Sequence, residues 1–276
     1  MRFGGPVLSK FSNPAEWISE LKRLMYNAAY CPVDSKQSDA VIKSYVDAAK
    51  LNNIIISEVG AWSNPLSSEE TTRKKATSYC KEQLYLADKV GALCCVNISG
   101  SRGELWDGPH PDNLTRETFE MIVDVVRDII DSVKPKKTFY ALELMPWMYP
   151  DSTDSYLELI KAIDREHFAV HLDPVNIISS PQKYYCNGDI IKDCFQRLGP
   201  YIKSCHVKDI SLAGDLTVHL SEVIIGKGSL DYSSFINEVS RVNPEIPLML
   251  EHLSCEEDYT LAAENMTNYI KKYSLK

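Results

Sequence analysis

The sequence has no cysteine pair in a Cys-x-x-Cys spacing, although it contains eight cysteines. They lie at positions 31, 80, 94, 95, 186, 194, 205 and 255. Several fall in apolar runs, such as Cys94 and Cys95 within residues 92–98. Residues of this kind are expected to be buried free thiols, and their spacing argues against a zinc knuckle or a disulfide scaffold.

Long hydrophobic runs and dense clusters of basic residues are also missing. No apolar stretch approaches the ~20 residues that a membrane helix needs. Residues 1–10 lack the apolar core and the cleavage pattern of a signal peptide. The formal net charge is −8 and the pI is about 5.3, so the chain repels phosphate backbones. These absences predict a cytoplasmic protein with no membrane partner and no nucleic-acid partner.

Signatures of nucleotide binding and of domain boundaries are lacking too. No Gly-x-Gly-x-x-Gly follows the first predicted strand, and no Walker sequence occurs. The glycines at 226 and 228 form an isolated pair in a loop, which is a weak signal for a phosphate site. With no low-complexity linker and 44% hydrophobic residues, residues 1–276 are predicted to form one domain with one large core.

Short β-rich runs alternate with longer amphipathic stretches along the chain. The predicted strands span residues 3–8, 28–31, 53–59, 92–99, 138–144, 168–173, 202–207 and 248–252. The predicted helices span residues 14–26, 39–51, 68–90, 116–133, 152–163, 189–198, 232–242 and 256–273. Strict alternation predicts right-handed βαβ units and a parallel sheet. Eight units of this length fit a closed α/β barrel, the (β/α)8 TIM barrel, better than the alternative of an open doubly wound sheet.

Two helix starts carry recognisable signals. Asn13 precedes Pro14, which predicts a side-chain cap followed by a proline in the first turn. Ser67 or Ser68 precedes two glutamates at 69 and 70, which predicts a serine cap for the third helix.

Four consecutive predicted strands end in side chains that can bind a metal: Glu143, Asp173, His206 and Glu251. The carboxyl ends of barrel strands meet at one rim, so these four are expected to lie together. Singly, each could equally cap a helix or form an ion pair. Asp173 could cap the turn before Pro174, and His206 could be a buried core histidine. Together, three oxygen ligands and one nitrogen ligand predict a site for Mn²⁺, Mg²⁺, Co²⁺ or Zn²⁺.

Further residues are expected at the same rim. Glu58 ends the third strand and is expected to bind a sugar hydroxyl or pair with a cation. Arg102 follows the fourth strand, and its planar guanidinium suits a carboxylate or phosphate, with a loop salt bridge as an equal alternative. His110 lies on a long loop as a candidate acid or base. Gly100 and Gly103 make that loop adaptable, so Arg102 and His110 are predicted to shape the pocket.

Aromatic residues follow several strands as well. Trp62, Trp106 and Trp147 each occupy a position where an indole can stack on a sugar ring, with plain packing as the equal alternative. Lys208 stands two residues after His206, which indicates a polar rim. Lys208 is therefore also expected to contact the substrate.

Five segments resemble the xylose isomerase-like TIM barrel superfamily, and the resemblance covers nearly the whole chain. They are Leu-Glu143-Leu, His171-Leu-Asp173-Pro-Val-Asn176, Cys-His206-Val-Lys208-Asp, Gly226-Lys-Gly228-Ser-Leu-Asp231 and Leu-Glu251-His. The most similar branch is the sugar phosphate isomerase/epimerase group, which includes the ketose 3-epimerases.

The resemblance implies a fold, a cofactor and an activity. It implies one divalent cation, Mn²⁺ first among the candidates, bound by Glu143, Asp173, His206 and Glu251. It also implies that Glu143 and Glu251 flank the substrate carbon and exchange its proton next to a carbonyl through a metal-stabilised enediolate. The implied partner is a small sugar or sugar derivative, and a homo-oligomer is left open.

Three positions depart from the pattern of the ketose 3-epimerases. Asn176 stands where that family carries a histidine, Tyr149 where it carries a glutamate, and Leu212 where it carries an arginine. Because these positions handle substrate hydroxyls in that family, the metal and the proton chemistry are expected here, whereas an ordinary free ketohexose is not.

Three other functions remain open. A metal-dependent lyase or dehydratase would use the same enediolate and then expel a leaving group from a keto-sugar or an oxidised glycoside, including cleavage of a C-glycoside. An apurinic endonuclease of the same superfamily is disfavoured, because the chain has only six histidines and an acidic balance. A non-catalytic barrel subunit would fail to bind any divalent metal.

Overall fold

The computed structural model describes residues 1–274 and forms a closed barrel of eight parallel strands. The barrel strands are β1 Arg2–Gly5, β2 Ala28–Tyr30, β3 Ile55–Gly60, β4 Cys94–Asn97, β5 Phe139–Glu143, β6 Phe168–Leu172, β7 Ile202–Val207 and β10 Pro247–Leu250. Around the barrel they follow the order β1, β10, β7, β6, β5, β4, β3 and β2. A separate antiparallel hairpin consists of β8 Asp209–Leu212 and β9 Leu220–Val223.

Helices connect the strands. They are α1 Pro14–Arg23, α2 Asp39–Leu51, α3 Glu70–Val90, α4 Arg116–Val133, α5 Thr153–Ile163, α6 Pro181–Tyr185, α7 Asn187–Leu198, α8 Tyr232–Val242 and α9 Glu256–Tyr273. Short 3₁₀ helices span Pro111–Leu114 and Gly199–Tyr201. The closed barrel and the helix between most pairs of strands confirm the (β/α)8 prediction and exclude the open sheet.

The helix caps confirm one prediction and correct another. Asn13 caps α1, because its side chain accepts a hydrogen bond of 3.0 Å from the backbone N–H of Glu16. The predicted serine cap of α3 is wrong, because the carboxylate of Glu69 accepts the N–H groups of Thr71 and Thr72. A carboxylate offers two acceptors at the positive end of the helix, so it serves two free N–H groups at once.

The hairpin interrupts the predicted strict alternation after β7. Its two strands have no helix between them, and the α6 turn in the β6–β7 connection was also not predicted. Asp209 fixes the segment that follows the hairpin, since its carboxylate accepts the N–H groups of Gly226 and Gly228 at 2.9 and 3.1 Å. The glycine pair therefore binds a carboxylate of its own chain, which accounts for the weak phosphate-site signal.

Packing between the barrel and its helices fixes the strands that carry the predicted ligands. Tyr156 of α5 is fully buried, and its hydroxyl donates to the carbonyl oxygen of Leu142 of β5 and lies 2.8 Å from the carbonyl oxygen of Ala169 of β6.

Five cysteines are buried as expected, whereas those at 31 and 255 are half-buried and the one at 186 is exposed. Among residues 1–274, no helix is both long enough and apolar enough to span a membrane.

Candidate metal centre and cavity

The four predicted metal ligands meet at the carboxyl end of the barrel. Glu143, Asp173, His206 and Glu251 each offer a ligand atom, and these atoms all lie within 4.8 Å of one another. The Nδ1 of His206 is 3.0 Å from Glu143 Oε1 and 2.8 Å from Glu251 Oε2. Glu143 and His206 lie in the last two residues of β5 and β7, and Asp173 and Glu251 directly follow β6 and β10, as the sequence predicts.

Asp173 caps a turn with one carboxylate oxygen and directs the other toward the predicted metal cluster. Its Oδ1 accepts the N–H groups of Val175 and Asn176 at 2.9 and 3.3 Å, which caps the turn after β6. Its Oδ2 is buried, and its one close polar neighbour among the described residues is the ammonium group of Lys208 at 2.8 Å. A buried carboxylate oxygen is costly unless a cation lies beside it.

Lys208 supplies one positive charge to this acidic cluster. Its Nζ is 2.8 Å from Asp173 Oδ2, 2.7 Å from Glu251 Oε1 and 2.9 Å from Glu222 Oε1. Burial would lower the pKa of Lys208, but the surrounding carboxylates raise it well above its usual value. The ammonium group is therefore held as a cation among acidic side chains.

Burial and charge shift the pKa values of the ligands in different directions. Burial raises the pKa of Asp173 to about 7, despite the opposing effect of Lys208. For Glu251, burial acts upward, but His206 and Lys208 lower the pKa well below its usual value. For His206, the carboxylates of Glu251 and Glu143 outweigh burial and raise the pKa. The cluster thus concentrates negative charge around one imidazole nitrogen, which suits a divalent cation bound by three oxygens and one nitrogen.

Glu58 lies behind His206 rather than at the cavity wall. Its Oε1 is 3.7 Å from His206 Nε2, and its Oε2 is 3.3 Å from His171 Nδ1. All three side chains are buried, and burial raises the pKa of Glu58 and lowers that of His171. The expected contact between Glu58 and a substrate hydroxyl has no support in this position.

A cavity of about 860 Å³ opens above the cluster. It is bordered by loops from all sides of the barrel mouth. The lining residues are Pro6, Tyr30, Trp62, Ile98, Trp106, Asp107, Glu143, Met145, Pro146, Trp147, Val175, Asn176, Ile178, Ser179, His206, Ile210, Leu220, Glu222, Leu250, Glu251, His252 and Tyr259. The cavity combines a few convergent polar groups with a mainly apolar wall, which is typical of a small-molecule site.

Three indoles line the cavity, as the stacking interpretation requires. Trp62, Trp106 and Trp147 remain 41%, 37% and 38% exposed, so plain core packing does not account for them. The ring of Trp62 lies 6.3 Å from that of His206, between centroids. Trp62 also packs against Gly60, where a Cβ atom would come within 2.5 Å of the indole nitrogen.

Arg102 and His110 do not line this cavity. The guanidinium of Arg102 donates to the carbonyl oxygen of Leu66 at 2.9 Å. The ring of His110 accepts the N–H of Asp112 and so caps the short 3₁₀ helix. Both side chains stabilise the loop after β4, which differs from the expected direct contact with a substrate.

The cavity also contains residues that the sequence analysis did not select. Glu222 reaches the rim from the hairpin, and its Oε2 is 3.0 Å from Nδ1 of His252. Tyr30 donates its hydroxyl to the carbonyl oxygen of Leu250 at 3.0 Å. His252 directly follows the predicted ligand Glu251, so its place at the rim could have been predicted from the sequence. Glu222 lies in the β8–β9 hairpin, which the sequence analysis did not predict.

The sequence model of the xylose isomerase-like TIM barrel family matches residues 24–272. This chain belongs to that family. No curated protein shows a significant sequence match to this chain.

Solved members of the fold superpose over nearly the whole chain. A D-psicose 3-epimerase from Clostridium cellulolyticum has a TM-score of 0.72 at 14% identity and covers 99% of both chains. A 3-keto-D-glucoside 4-epimerase from E. coli has a TM-score of 0.71 at 14% identity, covering 98% of this chain and 99% of its own. A xylose isomerase-like protein from Mycobacterium smegmatis in complex with magnesium has a TM-score of 0.68 at 16% identity, covering 94% and 89%. At these identities the likeness shows the shared barrel.

The residues at the three positions that differ from the ketose 3-epimerases make structural contacts within this chain. Asn176 donates its amide to Glu143 Oε1 at 3.1 Å and to the carbonyl oxygen of Leu144 at 3.0 Å. Tyr149 donates to the carbonyl oxygen of Leu114, and Leu212 packs against the core. The side chain of Asn176 thus holds a predicted ligand in place.

Proposed function

We propose that this chain is a divalent-metal-dependent sugar isomerase or epimerase that moves a proton next to a carbonyl. One observation carries the proposal. Three carboxylates and one imidazole have ligand atoms within 4.8 Å of one another. Glu143, His206 and Glu251 of this set line the floor of a cavity that admits a small molecule. The activities of the structurally similar D-psicose 3-epimerase and 3-keto-D-glucoside 4-epimerase agree with this chemistry.

Glu143, Asp173, His206 and Glu251 are the residues that would hold the cation, with Mn²⁺ as the first candidate and Mg²⁺, Co²⁺ or Zn²⁺ as the others. A divalent cation supplies a Lewis acid that stabilises negative charge on a substrate oxygen. Acidity at the neighbouring carbon rises as a result, so a carboxylate of modest basicity suffices as the base.

Glu143 and Glu251 are the proposed acid/base pair. Both line the cavity, and both approach Nδ1 of His206 from different strands. Asn176 donates to Glu143, and Lys208 donates to Glu251 at 2.7 Å, so each carboxylate has its own orienting partner. One carboxylate removes the proton from one face of the substrate carbon, and the other returns it on the opposite face.

The test uses protein stripped of metal and reloaded with Mn²⁺, incubated in D₂O with ketohexoses and 3-keto-glucosides. The parent is expected to introduce solvent deuterium at the carbon next to the carbonyl, detected by NMR. Glu143→Gln and Glu251→Gln keep the shape of the side chain but cannot accept the proton. Each is expected to lower turnover by about 10²-fold or more, the usual worth of a positioned base.

Asp107→Asn is the matched control, because Asp107 lines the cavity outside the ligand cluster. It is expected to retain turnover. Turnover without solvent exchange, together with full activity of both glutamine variants, would refute the proton-transfer mechanism.

A lyase remains the second candidate, and the apolar cavity wall favours it, because such a wall can hold a leaving group beside the sugar. Release of an aglycone or of water from a keto-glycoside, with solvent exchange retained, would assign the lyase reaction to the same carboxylates.

A further inference from the structure

The cavity above the metal-binding cluster is larger than a single free sugar requires. Its volume of about 860 Å³ lies within the range of roughly 300–1,000 Å³ that encloses drug-sized ligands. Glu143, His206 and Glu251 lie at the floor and are nearly buried, whereas the indoles at the rim are more than a third exposed. A monosaccharide bound at the floor therefore leaves the outer cavity unfilled.

Two loops form an apolar wall on one side of the outer cavity. Trp106 follows β4 and Trp147 follows β5, and Trp147 Nε1 donates to the carbonyl oxygen of Asp107 at 2.8 Å. This hydrogen bond ties the two loops together and fixes the position of the Trp147 indole beside the loop that carries Trp106. Met145 and Pro146 extend the same wall. Large apolar side chains that stay exposed in a cavity mark a binding surface more often than a packing defect.

The same cavity lacks a group that would bind a phosphate. Within residues 1–274, no lysine or arginine lines it, while four carboxylates do. Lys208 is 3% exposed and surrounded by acidic side chains. The N–H groups of Gly226 and Gly228 donate to Asp209. A phosphorylated sugar would therefore meet repulsion and find no donor cluster.

We propose that Trp106 and Trp147 form a subsite for an uncharged, planar apolar group attached to the sugar. The substrate class is then a keto-glycoside with an aromatic aglycone, rather than a free sugar or a sugar phosphate. The proposal rests on the proposed function in one respect, since it places the sugar ring at the metal-binding cluster.

The test is isothermal titration calorimetry of Mn²⁺-loaded protein with phenyl β-D-glucopyranoside, methyl β-D-glucopyranoside, glucose and glucose 6-phosphate. The phenyl glucoside is expected to bind about tenfold more tightly than the methyl glucoside, because burial of an aromatic ring is worth at least this factor. Trp106→Ala and Trp147→Ala should each reduce that ratio and leave the affinity for the methyl glucoside unchanged. Leu105→Ala is the control, since Leu105 is an exposed apolar residue of the same loop outside the cavity, and it should retain the ratio.

Equal affinity for the two glucosides, no measurable binding of the phenyl glucoside, or tighter binding of glucose 6-phosphate than of glucose would each overturn the subsite. An unchanged ratio of phenyl glucoside to methyl glucoside affinity in both Trp106→Ala and Trp147→Ala would also overturn the subsite. Because calorimetry needs no turnover, the test is independent of the proton chemistry. A protein that prefers the phenyl glucoside yet shows no solvent exchange has the subsite without the proposed reaction.

A separate observation concerns the buried group behind His206. Both carboxylate oxygens of Glu58, both ring nitrogens of His171 and Nε2 of His206 are buried without a hydrogen-bond partner. The two rings lie at 4.1 Å between centroids and meet edge to face. Polar atoms in this state are rare in folded proteins, so this group calls for an explanation.

The two ring nitrogens of His206 face different neighbours. Nδ1 faces Glu143 and Glu251 at 3.0 and 2.8 Å, while Nε2 faces Glu58 at 3.7 Å. When Nδ1 binds a cation, the proton of the imidazole resides on Nε2 and points toward Glu58. Outer carboxylates of this kind fix the tautomer and orientation of a ligand histidine.

We infer that Glu58 is a positioning residue for His206, through the electrostatic attraction between the Nε2–H group and the Glu58 carboxylate 3.7 Å away. The readout is Mn²⁺ affinity of metal-stripped protein, measured by calorimetry. Glu58→Leu is expected to weaken the affinity by about 10–100-fold, the usual effect of losing an outer partner. Glu58→Gln keeps an acceptor oxygen and is expected to fall between the parent and the leucine variant.

Ser57→Ala is the matched control, because Ser57 contacts Ser204 in the barrel interior and should leave Mn²⁺ affinity unchanged. Glu58→Gln keeps the test valid even if the leucine variant does not fold. Parental affinity in the glutamine and leucine variants would overturn the assignment. A stoichiometry of two Mn²⁺ per chain would also overturn it, since Glu58, His171 and His206 would then bind a second ion directly.

Discussion

The two halves of the barrel mouth have different chemical characters. The half formed by β5, β6, β7 and β10 carries the ionisable side chains Glu143, Asp173, His206 and Glu251. In the half formed by β1 to β4, the strand ends and following loops contribute Pro6, Tyr30, Trp62, Ile98 and Trp106 to the cavity. The half with the ionisable cluster also supplies most of the cavity lining, including Trp147. The other half adds mainly apolar and aromatic side chains and none of the predicted metal ligands, so the two halves differ in metal-binding capacity.

The largest expected effect comes from removing a ligand in the ionisable half. Asp173→Asn and His206→Ala should each weaken Mn²⁺ binding by more than about 100-fold, since losing a direct ligand exceeds the loss of an outer partner. Metal analysis of purified protein and calorimetry measure this effect. Trp62→Phe, in the other half, should bind Mn²⁺ as the parent does, and a comparable metal loss there would contradict this difference between the halves.

An intermediate effect is expected from Trp62, which lies in the apolar half above His206. Trp62→Ala should raise KM by roughly tenfold through loss of stacking on the sugar, with a smaller change in kcat. Trp62→Phe keeps an aromatic face and should recover part of the loss. Steady-state kinetics on the substrate found in the exchange experiment provide the measurement, and a fall confined to kcat would assign Trp62 to the chemistry.

The smallest expected effect concerns a hydrogen bond that joins the two halves. Tyr30 donates its hydroxyl to the carbonyl oxygen of Leu250, next to the proposed ligand Glu251. Tyr30→Phe should lower the free energy of unfolding by about 1 kcal/mol, the usual net worth of one hydrogen bond. Urea unfolding gives this value. Mn²⁺ affinity should stay near that of the parent, and a large fall would show that the halves are coupled through this contact.

The structural role of the loop after β4 was not accessible from the sequence. Arg102 was expected to meet a substrate, but its guanidinium donates to Leu66, a contact between two loops that are far apart in the chain. His110 likewise caps a short 3₁₀ helix whose existence depends on the conformation of the loop. A side chain on a long loop has many accessible partners, so its direction follows from packing rather than from its position after a strand.

The sequence by itself determined the barrel and the cluster of candidate metal ligands. Alternation of strands and helices specifies parallel βαβ units, and parallel strands present their carboxyl ends at one rim, so Glu143, Asp173, His206 and Glu251 had to meet. Only the tertiary structure decided that Glu58 faces His206 from behind and that a hairpin brings Glu222 to the rim. The physical reason is that strand order follows from local pattern, whereas the direction and burial of a side chain depend on neighbours that are distant in sequence.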